Sequence, residues 1–243
     1  MSEQKDIYFA SGVIARRELL SDGRLEEIRK TRDMNALKTL LSDTPYADLD
    51  FDRALKAFFE DLNALAPQLY DFFFYRYECH DCKIVFRMID GQLTEDEARD
   101  MMFSDDLDAL AGSDVIKEAS ENRDVALEII DRRYMERVYD EYRKRDIVRD
   151  VLEIEADYAN TRSYLRLGMT DPRISIAFGK NIRKGLKLTE LEEKLTMELE
   201  EKLESFPYRY ITTGFEPVFR YFYRRSREID IVREAHLLRR AGL

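Results

Sequence analysis

Cys79-His80-x-Cys82 is the one cluster in the chain whose residue types could ligate a metal. A tetrahedral zinc site needs four ligands, and the only other histidine, His236, is far away in sequence. On a helix Cys79 and Cys82 share a side while His80 points elsewhere, and cysteines on an apolar side are ordinary core residues. No metal and no other cofactor is expected. Gly179-Lys180 lacks the upstream glycine of a phosphate-binding loop and is followed by Asn181. No Gly-x-Ser-x-Gly elbow occurs, and two histidines leave little scope for imidazole acid–base chemistry. The carboxylate pairs Glu153/Glu155 and Asp105/Asp106 fit solvated helix faces. Glu216-Pro217 fits the opening of a helix, with proline in its first turn.

A different pattern of charge recurs. In one register the stretches are ECHDCKIVFR (78–87), DYANTRSYLR (157–166) and EIDIVREAHL (228–237). Position one is an acid each time: Glu78, Asp157, Glu228. Position six is a base each time: Lys83, Arg162, Arg233. Position ten is Arg87, Arg166 and then Leu237, and position four is Asp81, Asn160 and then Ile231, so the third copy departs twice. The copies stand about 70–80 residues apart, wider than ordinary solenoid periods. At about 100° per residue the bases at positions six and ten share one side of a helix. The opposite arc is apolar, through Cys79, Cys82, Val85 and Phe86 in the first copy and Ile229, Val232 and Ala235 in the third. The acid falls near the middle of that arc, where an ionised carboxylate must be paired or hydrogen bonded. Each of Glu78, Asp157 and Glu228 is therefore expected to be anchored by a base or by backbone N–H groups.

These phrases need helices to position them, and helical spacing of apolar residues runs through the chain. The expected helices lie near 5–20, 24–29, 33–41, 50–74, 76–89, 105–119, 122–145, 146–167, 187–204, 215–224 and 227–240. Breaks are expected at Ser21–Gly23, Ser42–Pro45, Asp90-Gly91, Gly168–Pro172 and Phe206-Pro207. Thr94, three residues before Glu97, has the form of a capping box opening one more short helix. Leucines at 188, 191, 195, 199 and 203 draw an apolar stripe opposite a charged face, as in a surface helix packed on its own domain. No period-two alternation competes. The fold class expected is all-α: three related helical lobes, roughly 1–92, 93–170 and 171–243, within a single domain spanning 1–243.

The bulk numbers agree with that class and exclude others. The 243 residues are 37% charged and 44% hydrophobic, with only 9 glycines and 5 prolines, little turn material for a many-stranded sheet. With 50 acids against 40 bases the net charge is −10, which argues against nucleic acid as a partner. A local basic patch survives in residues 220–243, through Arg220, Arg224, Arg225, Arg227, Arg233, Arg239 and Arg240. No run approaches the ~20 apolar residues of a membrane span. The N-terminal MSEQKDIYFASG lacks the pattern of a secretory signal, and two cysteines make no disulfide framework, so a cytoplasmic location is expected.

The ordered phrases resemble those of one family, the C subunits of archaeal-type and bacterial V-type (A-type) rotary ATPases, which correspond to the d subunits of vacuolar enzymes. ASGVIARRELLSDGRLEEI (10–28) and LLSDTPYADL (40–49) resemble the family's opening helix and its Thr-Pro-Tyr turn. YECHDCKIVFR (77–87) resembles its Tyr-Asp-Tyr-His-Asn-Leu-Lys phrase, with Glu78 for Asp and Asp81 for Asn. DYANTRSYLRLG (157–168) resembles the second acid–Asn–Arg phrase, and GFEPVFRYFYRRSREIDIVR (214–233) the C-terminal Gly-x-Glu-Pro phrase.

That resemblance implies a funnel or cup of three lobes in pseudo-threefold arrangement. It implies a non-catalytic central-stalk component that seats the rotating shaft on the membrane rotor ring and so couples ATP turnover to proton or sodium transport. Its partners would be the shaft subunits and the ring, and its location cytoplasmic and peripheral to the membrane. The candidate shaft interface is Lys83, Arg87, Arg162, Arg166 and Arg233. The repeat phrase itself (Glu78, Lys83, Asp157, Asn160, Arg162, Glu228, Arg233) would organise the lobes. Two other readings of the same residues stay open. One is a helical enzyme or ligand-binding bundle using the carboxylates and arginines in one pocket; the other is a stand-alone helical adaptor.

Overall fold

A computed structural model describes residues 2–104 and 106–242. All regular structure among them is helical. The helices are α1 (Ser2–Ile14), α2 (Asp22–Lys30), α3 (Met34–Leu41), α4 (Phe51–Leu65), α5 (Tyr70–Ile89) and α6 (Glu95–Met101), followed by α7 (Leu107–Ala111), α8 (Asp114–Glu121), α9 (Ala126–Tyr142), α10 (Asp146–Leu167), α11 (Leu191–Leu203) and α12 (Phe215–Arg240). None is long and apolar enough to cross a membrane.

Local chemistry sets most of the boundaries. Ser21, Asp33, Asp50 and Ser113 cap α2, α3, α4 and α8 by accepting a backbone N–H, and Thr94 with Glu97 closes a reciprocal capping box on α6. Gly168 ends α10 in the left-handed conformation, φ 72°, with its N–H on the Tyr164 carbonyl. Pro217 lies in the first turn of α12.

Several boundaries differ from expectation: the helix expected over 5–20 ends at Ile14, and Tyr70–Ile89 is one helix with no break near residue 75. The helix expected over 50–74 is cut by Pro67, which forces Ala66 out of helical geometry (φ −149°, ψ 59°). Residues 105–119 divide into α7 and α8 around Gly112-Ser113, and Asp105 lies outside the described residues. The helix expected over 187–204 starts at Leu191; Leu191, Leu199 and Leu203 are buried, whereas Leu188 stands exposed in a preceding 3-10 turn. Residues 215–240 are one continuous helix, so Arg224-Arg225-Ser226 is no break.

The chain forms two compact units, 1–70 with 207–243 and 71–206. These limits fall elsewhere than the lobe limits expected near 92 and 170. In the first unit α12 packs on α1, α2, α3 and α4, with Phe58, Leu62, Phe219 and Phe222 in the core. In the second, α10 packs on α9 and α11, and α9 on α8. Phe72 of α5 meets Tyr142 of α9 edge to face at 5.8 Å, and Ile129 and Ile174 pack with Val125 in a buried cluster.

Candidate functional site

Each of the three helices that carry the recurrent phrase buries a polar side chain near its middle. Each of these side chains captures backbone N–H groups of a non-helical segment.

In the first unit the acid is Glu228 of α12, 1% exposed. Its Oε2 accepts the Leu20 N–H at 2.7 Å, and its Oε1 accepts the Tyr46 hydroxyl at 2.6 Å and an Arg225 N–H at 2.6 Å. Local sequence delivers each donor. Leu20 lies in the extended run between α1 and Ser21, and that run is tied to α4 by Arg17 forked onto Asp61 at 2.7 and 3.1 Å. Tyr46 lies in the Thr44-Pro45 turn, where the Thr44 hydroxyl donates to the Leu41 carbonyl at 2.7 Å and accepts the Tyr46 N–H at 3.1 Å. The Arg225 guanidinium also stands 5.1 Å from the Tyr46 ring centre. Burial, and then the Glu228 charge, push the Tyr46 phenol far above its ordinary range, so it stays a hydrogen-bond donor.

In the second unit the acid is Asp157 of α10, 5% exposed. Its Oδ1 accepts the Lys180 N–H at 2.5 Å and the Asn181 N–H at 2.8 Å, and its Oδ2 accepts the Asn181 amide at 3.2 Å. One turn on, Asn160 accepts the Ile176 N–H at 2.8 Å and donates to the Ile176 carbonyl at 3.0 Å, and Thr161 accepts the Arg183 N–H at 2.9 Å. Together the three side chains pin residues 169–187, a long segment without regular structure, along α10. Gly179 permits the approach: a Cβ there would meet Asn160 Nδ2 at 2.6 Å and the Ala156 carbonyl carbon at 3.1 Å.

The first copy on α5 distributes the role differently. Glu78, at position one, is half-buried and pairs with Arg137 of α9. The buried anchor is Asp81, at position four and 1% exposed, which accepts the Phe103 and Ser104 N–H groups at 2.9 Å each. Asp81 thus occupies the position of Asn160 and holds a loop as Asn160 does. In the sequence Asp81 stands out only as a departure from the asparagine of the second copy; its place between Cys79 and Cys82 on the buried arc is the signal that marks it as an anchor. Glu155, expected on a solvated face, is instead buried, ion-paired to Arg76 of α5 and 3.3 Å from the Tyr75 hydroxyl. Its neighbour Glu153 pairs with Lys180 at 2.5 Å.

The bases of the phrase are placed as follows. Lys83 meets Asp131 of α9 at 2.6 Å, Arg166 meets Glu128 of the same helix at 2.6 Å, and Arg162 meets Glu192 of α11 at 2.7 Å. Glu128 and Asp131 are three apart and share a face of α9, so Lys83 and Arg166 dock on one stripe. Arg87 is half-buried at the end of α5, and Arg233 is exposed on α12. Arg162, Arg166 and Arg233 lie toward solvent, whereas Lys83 is largely covered.

Among the described residues no group of histidine, cysteine and acidic side chains is arranged to hold a metal ion. Cys79 donates to Asp131 at 3.2 Å, and burial followed by that carboxylate raises its thiol well above the ordinary range. Burial pushes Cys82 up to about 11. Both therefore remain protonated thiols near neutrality. His80 is exposed near the Met101 carbonyl, and His236 stacks on Phe51 at 5.3 Å.

Asp157→Leu tests the anchor on α10. The leucine would leave the Lys180 and Asn181 N–H groups without an acceptor, at a cost of about 1–3 kcal/mol. Thermal unfolding of the variant measures this; an unchanged or raised Tm would show that those groups find water instead.

Comparison with protein families, with curated proteins and with solved structures found no match.

Proposed function

We propose that the chain is the non-catalytic central-stalk coupling component of a V-type (A-type) rotary ATPase. In this reading it stands in the cytoplasm at the membrane rotor ring and seats the rotating shaft. Its helical lobes form a three-walled cup, and it transmits torque from ATP turnover to proton or sodium transport. One observation carries the proposal. The stretches 10–28, 40–49 and 214–233, which carry the family resemblance at the two ends of the chain, meet at one buried carboxylate: Leu20 and Tyr46 both donate to Glu228. Phrases that resemble a family's in order, and also share one network, are more specific than the same phrases scattered over a surface.

Three physical features suit the role. A torque coupler needs irregular segments that do not shear away from their helices, and buried carboxylates bonded to backbone N–H groups supply that stiffness. The oxygens of Asp157 and Glu228 are occupied by donors of the chain itself, which favours a mechanical role over a carboxylate–arginine pocket for a ligand. The solvent-facing ion pairs of Arg162 and Arg166 are weak in water and can be exchanged for acids of a partner at little cost.

Co-purification from the native host tests the assignment directly, with ATPase catalytic and ring subunits expected in the eluate. Reversing charge at Arg162→Glu and Arg166→Glu together should weaken binding of the shaft by about tenfold or more. The helical circular dichroism should not change. Undiminished shaft affinity would remove these arginines from the interface, and an eluate without ATPase subunits would remove the assignment itself.

A further inference from the structure

Residues 188–206 contain seven glutamates and two lysines, a net charge of −5 in a chain whose total is −10. The leucine stripe of α11 faces its own unit. The opposite side leaves Met197 57% exposed, with Glu193, Glu201 and Glu204 exposed around it, and Phe206 just beyond the helix is 82% exposed. Between α11 and α10 runs a groove of about 760 Å³, whose lining includes Ile154, Tyr158, Met197 and Phe206. Its walls are held at fixed spacing: Lys202 of α11 pairs with Asp150 of α10 at 2.8 Å, and the Tyr158 hydroxyl donates to Glu198 at 3.1 Å. Three of the groove's cations, Lys180, Arg183 and Lys202, already face Glu153, Glu198 and Asp150. Against the fourth, Lys194, stand the exposed Glu193 and Glu201. The charge left to meet a partner is therefore acidic.

A preformed groove with two large apolar groups at its mouth, edged by carboxylates, matches one kind of occupant by shape and charge. An amphipathic helix offers apolar side chains at i, i+4 and i+7 to enter such a groove, and lysines or arginines on its flanks would meet Glu193 and Glu201. We propose that the α10–α11 groove docks a basic amphipathic helix contributed by another protein chain. Its apolar side chains pack between Met197 and Phe206 over Ile154 and Tyr158. This inference requires only residues 71–206 and is independent of the rotary role.

The test is fluorescence anisotropy of the full-length chain with a labelled, lysine-rich amphipathic helical peptide. A scrambled peptide of the same composition and a glutamate-for-lysine version serve as comparisons. The amphipathic peptide should bind at least about tenfold more tightly than either, and added salt should weaken it. Met197→Asp with Phe206→Asp, and separately Glu193→Lys with Glu201→Lys, should each weaken it by about tenfold or more. All four positions are exposed, so helical circular dichroism should be unchanged, and Ile89→Asp, at an exposed position elsewhere in the unit, should leave binding intact. Equal binding of the scrambled peptide, preference for the anionic one, or indifference to both groove variants would overturn the proposal.

Discussion

Replacing Glu228 by leucine should remove about 3–5 kcal/mol of stability. Three donors depend on this carboxylate, and none has an alternative acceptor in its hydrogen-bond set: the Leu20 N–H, the Tyr46 hydroxyl and Arg225. The leucine would match the volume but leave a phenol, a peptide N–H and a largely covered guanidinium unpaired. Loss of one partner of a buried charged pair costs more than the pair itself contributes. In a chain of this size the change corresponds to a fall in Tm of roughly 6–20 °C in thermal unfolding followed by circular dichroism. Glu228→Gln keeps one acceptor oxygen, which can stay with Tyr46 and Arg225, but turns its amide N–H groups toward the Leu20 N–H and loses the charge facing Arg225, so its cost should be about 1–3 kcal/mol. A double-mutant cycle with Tyr46→Phe should show coupling, since the two side chains share a bond. A loss below about 1 kcal/mol for Glu228→Leu would mean that water reaches these donors and that the network is not the keystone of its unit.

Gly179→Val should be nearly as damaging, by a different route. The added carbons would overlap the Asn160 amide and the Ala156 backbone. Asn160 cannot swing aside without surrendering both of its bonds to Ile176. Overpacking and two lost buried hydrogen bonds together amount to about 3 kcal/mol. The effect should concentrate in residues 169–187. Limited proteolysis should then cut the variant within that segment while α10 and α9 stay protected. Wild-type resistance in that segment would show that the loop has another way to sit against α10.

How much of this is legible in the residues differs between helices and sites. Helix existence is legible because apolar spacing recurs wherever a helix packs, and caps such as Thr94 with Glu97 are local. Pro67 carries its own warning, since a residue before proline resists helical geometry whatever the periodicity of its neighbours. The break expected near Ser226 fails for the opposite reason. Three consecutive polar residues look like a linker, but Arg225 is turned inward by the buried acid one turn ahead of it. That Asp157 and Glu228 must be satisfied follows from their place on an apolar arc. Which groups satisfy them does not, because Leu20 and Tyr46 are 208 and 182 residues from Glu228 and carry no local mark of the encounter. Asp81 shows the limit of a register argument. A shift of one turn leaves a carboxylate on nearly the same face, so position one and position four can exchange roles.

One of the two units is assembled from both ends of the chain, 1–70 and 207–243, and the other is continuous, 71–206. During synthesis on the ribosome the continuous part can close as soon as it emerges. Helices α1 to α4 must wait, with Tyr46 and Leu20 unmatched, until α12 leaves the exit tunnel carrying Glu228. Closing so large a loop is entropically unfavourable and slow. Residues 1–70 are thus the stretch most exposed to chaperones and proteases before α12 emerges.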